Sequence, residues 1–227
     1  MKKVLFPYGR EKLSYDFCED ELAGVLVSSI HGYKPAKGQT ELVKEAMENP
    51  IGSERLKTLA VGKKNIVIIA SDHTRPVPSK VIMPAILDEI RSVNKTAEIT
   101  ILIATGCHRG TTKAELTDKF GKEIVENENI YIHDCDETEK LVNIGTLPSG
   151  GSCEINSVAY NADLLIAEGF IEPHFFAGFS GGRKSVFPGI ASRKTLMANH
   201  CSQFIASANT RTGILENNPI HKDIIWS

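Results

Sequence analysis

The chain reads as an α/β fold: a mostly parallel sheet with helices on both faces and active-site loops at the carboxyl ends of its strands. Three observations predict this. The runs NIVIIAS (65–71), EITILIAT (98–105) and ADLLIAEGF (162–170) are near-continuously apolar rather than alternating, the pattern of strands buried on both faces. Segments of helical period separate them. Polar, histidine- or glycine-bearing sequence follows each run, at the strand ends where open sheets bind ligands.

Taken in order, residues 1–30 hold two short strand patterns, KVLF near the start and GVLVSS at 24–29. QTELVKEAMENP has helical spacing and ends at Pro50, and a second short helix is expected around SERLKTLA. The first buried strand leads through SDHTRPVP into the helical PSKVIMPAILDEIRSV (78–93). After the second, TGCHRGTT precedes a helix in TTKAELTDKF, where Thr112 and Glu115 have capping-box spacing. The glycine pair in PSGGSCE (148–154) reads as a turn between strands. The third buried strand opens into GFIEPHFFAGFSGGRKS, and SRKTLMANHCSQFIA (192–206) reads as one helix. In NNPIHKDIIWS, Asn218 is placed as N-cap and Pro219 at the first helical position. That pattern breaks off at Trp226 and Ser227 without a cap, so the chain is expected to be part of a longer protein.

Composition narrows the function. The 227 residues, 41% apolar and 24% charged, suffice for a buried core in one large or two small domains. A net charge of −2 gives no general attraction to nucleic acid or an anionic membrane. No apolar run approaches the roughly 18–20 residues of a membrane span. Cys18, Cys107, Cys135, Cys153 and Cys201 are odd in number, scattered, and never in a C-x-x-C pair. They read as free thiols of a cytoplasmic protein rather than a disulfide frame or a zinc site.

The chemistry carriers sit in the strand-end loops. Arg75 follows Asp72, His73 and Thr74, a position suited to bidentate capture of a carboxylate or phosphate; the plainer alternative is that Asp72 caps the loop and Arg75 pairs with it. His108 lies between a strand end and a helix start, where an imidazole can act as general acid or base. His174 lies among Phe170, Phe175, Phe176 and Phe179, apolar neighbours expected to desolvate it. Two histidines from separate strand ends suggest one base for each face of a substrate. In GFSGGRKS (178–185), Gly178, Gly181 and Gly182 free backbone N–H groups to wrap an anion, with charge from Arg183 and Lys184. The stretch nearly matches a P-loop with Gly178, Lys184 and Ser185 in register, but Arg183 replaces the second glycine and the strand ends too early. His200, beside Cys201, has no H-x-x-x-H partner, so any metal there must draw most of its ligands from elsewhere than side chains. His31, His133 and His221 read as surface or structural.

These stretches (NIVIIASDHTRPVPS, ILIATGCHRGTTKAEL, LPSGG, ADLLIAEGFIEPHFFAGFSGGRKSVFPGIAS, TLMANH and NPIHKD) resemble the lactate racemase family of nickel-pincer-dependent enzymes. The resemblance implies that residues 1–227 are the N-terminal, cofactor-holding domain of a longer two-domain racemase. It implies a nickel-bound pyridinium-3,5-bisthiocarboxylic acid mononucleotide, tethered covalently by Lys184, with His200 as the protein's nickel ligand and the glycine loop of Gly178, Gly181, Gly182, Arg183 and Ser185 at the phosphate. It places the acid/base pair on His108 and His174, with Asp72 and Arg75 beside them. The implied reaction is racemisation of a small 2-hydroxy acid, lactate favoured, by transient hydride transfer through a 2-keto acid. Such chemistry suits a C2 proton too weakly acidic for plain proton abstraction, and a cofactor supplies the electron sink. The implied partners are the substrate, a C-terminal domain and cofactor maturation enzymes, with no nucleic acid and no membrane. Without the C-terminal domain, this piece is expected to be inactive. Three alternatives remain: another 2-hydroxy acid as substrate, a non-redox nucleotide-phosphate-binding domain, and a non-catalytic partner-binding domain.

Overall fold

The computed structural model describes residues Met1–Ser227, which divide into two units, Met1–Gly38 and Gln39–Ser227. In the first, β1 (Lys2–Tyr8) and β2 (Glu11–Phe17) form an antiparallel hairpin. Gly9, at φ 59°, supplies the left-handed turn residue. Residues 24–29 do not form the expected strand; the segment runs irregularly into a 3-10 turn at Ser29–Gly32. Val25, Leu26 and Val27 are exposed, and with no strand beside them their backbone groups have no ladder to join.

The second unit is built on a four-stranded parallel sheet in the order β5-β4-β3-β8. These are β3 (Asn65–Ser71), β4 (Glu98–Ala104), β5 (Asn129–Ile132) and β8 (Leu164–Ala167). The apolar runs are strands because both faces are covered. Alternation sends Ile66, Ile68, Ile101 and Ile103 to one side, where they pack with Met83, Leu87 and Ile90 of α3 (Ser79–Val93). Leu116 and Phe120 of α4 (Lys113–Phe120) and Ile124 of α5 (Lys122–Asn127) complete that layer. Val67, Ile69 and Leu102 face the other way, against Ile190 and Ala159 of α6 (Ser157–Tyr160). The helices α1 (Gln39–Glu48) and α2 (Leu56–Leu59) precede the sheet, as read. The Thr112–Glu115 capping box opens α4 with both reciprocal hydrogen bonds in place. The PSGGSCE turn joins the antiparallel pair β6 (Leu141–Thr146) and β7 (Ser152–Asn156).

Two boundaries differ from the sequence reading. The third buried strand ends at Ala167 rather than Phe170, because its last bond to β3 runs from Glu168 N to Ile69 O and the chain then leaves the sheet. Residues 192–206 form two helices, α7 (Arg193–Asn199) and α8 (Ser202–Ile205). The break falls at His200 and at Cys201, whose backbone is extended (φ −83°, ψ 158°). The last helix, α9 (Pro219–Trp226), starts as read: Asn218 accepts from the N–H groups of Ile220 and His221. No helix is long and apolar enough to cross a membrane.

Topology positions the site. From β3 the chain moves outward through β4 to β5 on one side; it then crosses the opposite face and lays β8 on the other side of β3. The strand order reverses between β3 and β8, and beyond the carboxyl ends at such a reversal open sheets form their ligand crevice.

Candidate active site

A cavity of about 340 Å³ opens at that point, lined by the loops that follow β3, β4 and β8, a size within the usual range for small-ligand sites. It brings together Asp72, Arg75, His108, His174, Lys184 and His200, along with Gly181 and Ser185. Gly178, Gly182 and Arg183 are not among its walls.

On one rim, the β3 loop carries a buried carboxylate. Asp72 accepts from Thr74 Oγ1 (2.6 Å) and Thr74 N (3.1 Å) through Oδ1, and from His108 Nδ1 (2.7 Å) through Oδ2. Burial works to raise the Asp72 carboxyl, but the Thr74 and His108 hydrogen bonds outweigh it and hold the group below its ordinary value. A carboxylate accepting at Nδ1 leaves Nε2 as the basic nitrogen of His108. Arg75 does not pair with Asp72; its guanidinium rests on Thr74 Oγ1 at 2.9 Å and is otherwise exposed.

The opposite rim is aromatic and cationic. A two-residue ladder, Pro173–His174 against Gly178–Phe179, folds the loop back on itself. The N–H groups of Phe176 (3.4 Å) and Ala177 (3.2 Å) point at His174 Nδ1, making it the acceptor and Nε2 the protonated nitrogen. Phe176 is the hub of this rim: its ring lies 4.4 Å from that of His174, 4.9 Å from that of His200, and 5.7 Å from Lys184 Nζ. Desolvation, with Lys184, His200 and two arginines nearby, pushes His174 down to about 4. Desolvation and Lys184 take His200 to about 4 as well. Burial, with Arg75 and Arg183, brings Lys184 down to about 8. This side of the cavity is thus equipped with neutral imidazoles and an amine that gives up its proton more readily than an exposed lysine.

His200 is oriented from behind. Its Nδ1 donates to Asn199 Oδ1 (2.9 Å), and the amide of Asn199 donates in turn to Asp223 Oδ2 (2.9 Å) on α9. Asn199 and Asp223 are both buried. The relay leaves the His200 lone pair on Nε2.

The glycine turn differs from a P-loop. Gly182–Ser185 is a single 3-10 turn, and no α-helix starts until Arg193, so the strand–loop–helix geometry of that motif is absent. Arg183 is spent on its own surroundings: it donates to His221 Nδ1 (2.8 Å) and to the carbonyl of Ala177 (3.0 Å). Gly181, at φ 78°, passes so close to the next loop that a Cβ would lie 2.3 Å from the Phe170 carbonyl oxygen. His133 is structural, buried between the Ala191 carbonyl and Asn156, and all five cysteines are free thiols. Sequence reading missed Asn199 and Asp223, whose contacts form only on folding, and passed over Glu168, a charged residue ending an apolar strand.

Comparison with known proteins identifies the family to which the chain belongs. The family model described as the lactate racemase N-terminal domain matches residues 8–213. The chain is 58% identical over 227 residues to a lactate racemase of Thermoanaerobacterium thermosaccharolyticum and 53% identical to one of Lactiplantibacillus plantarum. It is covered completely in both matches but spans only 53% and 54% of those relatives. The structure of the lactate racemase apoprotein from T. thermosaccharolyticum superposes with a TM-score of 0.88 at 57% identity, covering 99% of this chain and 52% of that one. A crystal structure of a Thermotoga maritima protein, 24% identical with a TM-score of 0.64 over 82% of this chain and 45% of that one, shares the fold. The chain therefore belongs to the lactate racemase N-terminal domain family.

Proposed function

We propose that this chain is the N-terminal, cofactor-holding domain of a cytoplasmic racemase acting on a small 2-hydroxy acid, lactate favoured. One observation carries the reading: two histidines in opposite tautomers, an arginine, a desolvated lysine and a desolvated third histidine converge on one cavity at the sheet's reversal point.

The residues fit a nickel-pincer mononucleotide tethered to Lys184. An amine that loses its proton near pH 8 is nucleophilic enough for acyl attachment. His200 offers one nitrogen lone pair, with its other nitrogen held by Asn199, the arrangement of an oriented metal ligand. Gly181 and Ser185 lie at the cavity to contact the phosphate, while Gly178, Gly182 and Arg183 shape the turn that presents Lys184. When bound, the cofactor supplies the electron sink for a hydride leaving C2 of the acid.

The chain's own residues do the rest. Arg75, which lines the cavity and spends one guanidinium nitrogen on Thr74 Oγ1, pairs with the substrate carboxylate and orients it. His108, held by Asp72, takes the hydroxyl proton at Nε2. His174 presents Nε2–H on the opposite side; the proton it gives to the returning alkoxide is replaced from solvent, which also takes the proton that His108 gained. Phe176, edge-on to His174, shields one side of that ring, and Phe175 stacks on it. The remaining contacts come from a C-terminal domain, and loading from maturation enzymes, so residues 1–227 alone are inactive.

The test is intact-mass spectrometry with nickel analysis on the full-length protein co-produced with maturation enzymes, comparing wild type with Lys184→Ala. A mass increment matching the mononucleotide and stoichiometric nickel, both lost in the variant, support the reading. Neither increment nor nickel in wild type, with maturation activity verified on a known acceptor, overturns it.

A further inference from the structure

The stretch NPIHKD (218–223) opens α9 and lies beyond residues 8–213, the span that the family model matches. Capping does not exhaust its contacts. Asn218, fully buried, caps α9 through Oδ1, which accepts from Ile220 N (3.0 Å) and His221 N (3.2 Å). A serine would do as much. Asn218 Nδ2 also donates, to the carbonyls of Phe176 (2.9 Å) and Ile214 (3.0 Å), so every hydrogen-bonding position of the side chain is in use. Phe176 is the hub of the aromatic rim.

Two further side chains of the stretch reach other parts of the same rim. His221 Nδ1 accepts from Arg183 Nε at 2.8 Å, and Arg183 Nη2 donates to the Ala177 carbonyl at 3.0 Å. Arg183 immediately precedes Lys184 in the Gly182–Ser185 turn. Asp223, 1% exposed, accepts from Ser149 N (3.0 Å) through Oδ1 and from the Asn199 amide (2.9 Å) through Oδ2; Asn199 in turn holds His200. Residues two apart lie about 200° apart around a helix, so α9 meets the Lys184 turn with one side and α7 with another. Ile220 and Ile224 share a buried cluster with Ala177 and Phe187, and Leu196 packs against it. Phe176, Lys184 and His200 come from three separate stretches of chain, and α9 is hydrogen-bonded within one residue of each.

We propose that Asn218, His221 and Asp223 are positioning residues that set the spacing of Phe176, Lys184 and His200, with α9 as their common frame. The proposal rests on the roles assigned above to Lys184 and His200. None of the three lines the cavity; they act through the Phe176 carbonyl, the Arg183 guanidinium and the Asn199 amide. A tether and a metal ligand that serve one bound group tolerate little independent movement, since a displacement of about 1 Å can cost on the order of 10²-fold in rate.

Hydrogen–deuterium exchange on the cofactor-free full-length protein tests this without nickel or turnover. His221→Leu removes the acceptor for Arg183 and should speed exchange over residues 181–187 by about tenfold or more, the scale of a lost hydrogen bond to a charged group. The amides of β3 and β4 should keep their protection. His221→Asn, which returns an acceptor near the Nδ1 position, should restore the turn. Asn218→Ser keeps the cap but lacks the amide donors, and should loosen residues 176–179 in the same selective way. A second readout is the initial rate at which the covalent adduct forms with the maturation enzymes: about tenfold slower or more in His221→Leu, recovered in His221→Asn. Exchange that rises across sheet and rim alike marks a general structural role and overturns the proposal, as does a rim that stays protected in both variants. Should His221→Leu fail to fold, Asn218→Ser decides by the same exchange pattern. If wild type forms no adduct, the cofactor assignment falls, and selective exchange alone decides whether α9 frames the rim.

Discussion

The two rims of the cavity prepare their histidines in opposite ways. His108 stands half-exposed and is held by a buried carboxylate at 2.7 Å. His174 has no carboxylate partner; phenyl rings and cations surround it, and two backbone N–H groups hold its Nδ1 as an acceptor. A carboxylate orients an imidazole and tolerates charge on it; desolvation beside cations keeps an imidazole neutral. The first rim is therefore suited to receiving a proton in contact with water, and the second to holding neutral donors and lone pairs. Lys184 and His200, both on the second rim, share its desolvation.

The comparison can be broken at several places. In the full-length protein, and on the function proposed above, Lys184→Ala removes the second rim's amine and should abolish racemisation and the covalent adduct together; a retained adduct would move the tether elsewhere. Asp72→Asn takes away the first rim's charge while keeping its shape. The loss expected in kcat/KM is on the order of 10²–10⁴-fold, the usual scale for an acid/base group. Because a racemisation has an equilibrium constant of one, kcat/KM must fall equally for the two enantiomers, which provides an internal control. Asn199→Ala frees His200 Nδ1 and should weaken nickel binding about 10–100-fold, read by competition with a chelator; unchanged affinity would show that the relay from Asp223 does not orient the ligand.

Acid should destabilise the cofactor-free protein through the second rim. His174 and His200 are held at about 4, against an ordinary 6.5. Between those values the unfolded chain binds more protons than the folded one, so stability falls as pH falls through the window from about 6.5 to about 4. Urea unfolding at several pH values measures the slope, and His174→Gln should flatten it; an unaltered slope would mean the rim is wetter than its geometry indicates. The smallest effect lies outside both rims. Thr112→Ala, at the cap of α4, should cost about 1 kcal/mol in the same unfolding series while leaving nickel content unchanged.

Much of this was legible before folding. The buried strands declared themselves because a strand covered on both faces has no polar positions to alternate with. The Thr112–Glu115 box and the Asn218 cap were readable because capping is a contact over three residues. The short β5 was missed, and β6 and β7 were legible only as unbounded strands on either side of the PSGGSCE turn, since half-buried strands of four to six residues carry little periodic signal. The helix break at His200 was missed because nothing local in TLMANHCSQ marks it.

The order of strands and helices, and the residue types in the strand-end loops, were determined by the sequence alone, since both depend on neighbours within a few positions along the chain. Which of those residues face one another was decided only by tertiary structure. Asp72 meets His108 from 36 positions away, Ser79 meets Glu168 from 89, and Asp223 reaches His200 through Asn199. Hydrogen bonds of that span form only once the sheet has set its order and buried the groups from water, and it is this burial that makes His174, Lys184 and His200 differ from the same side chains in solvent.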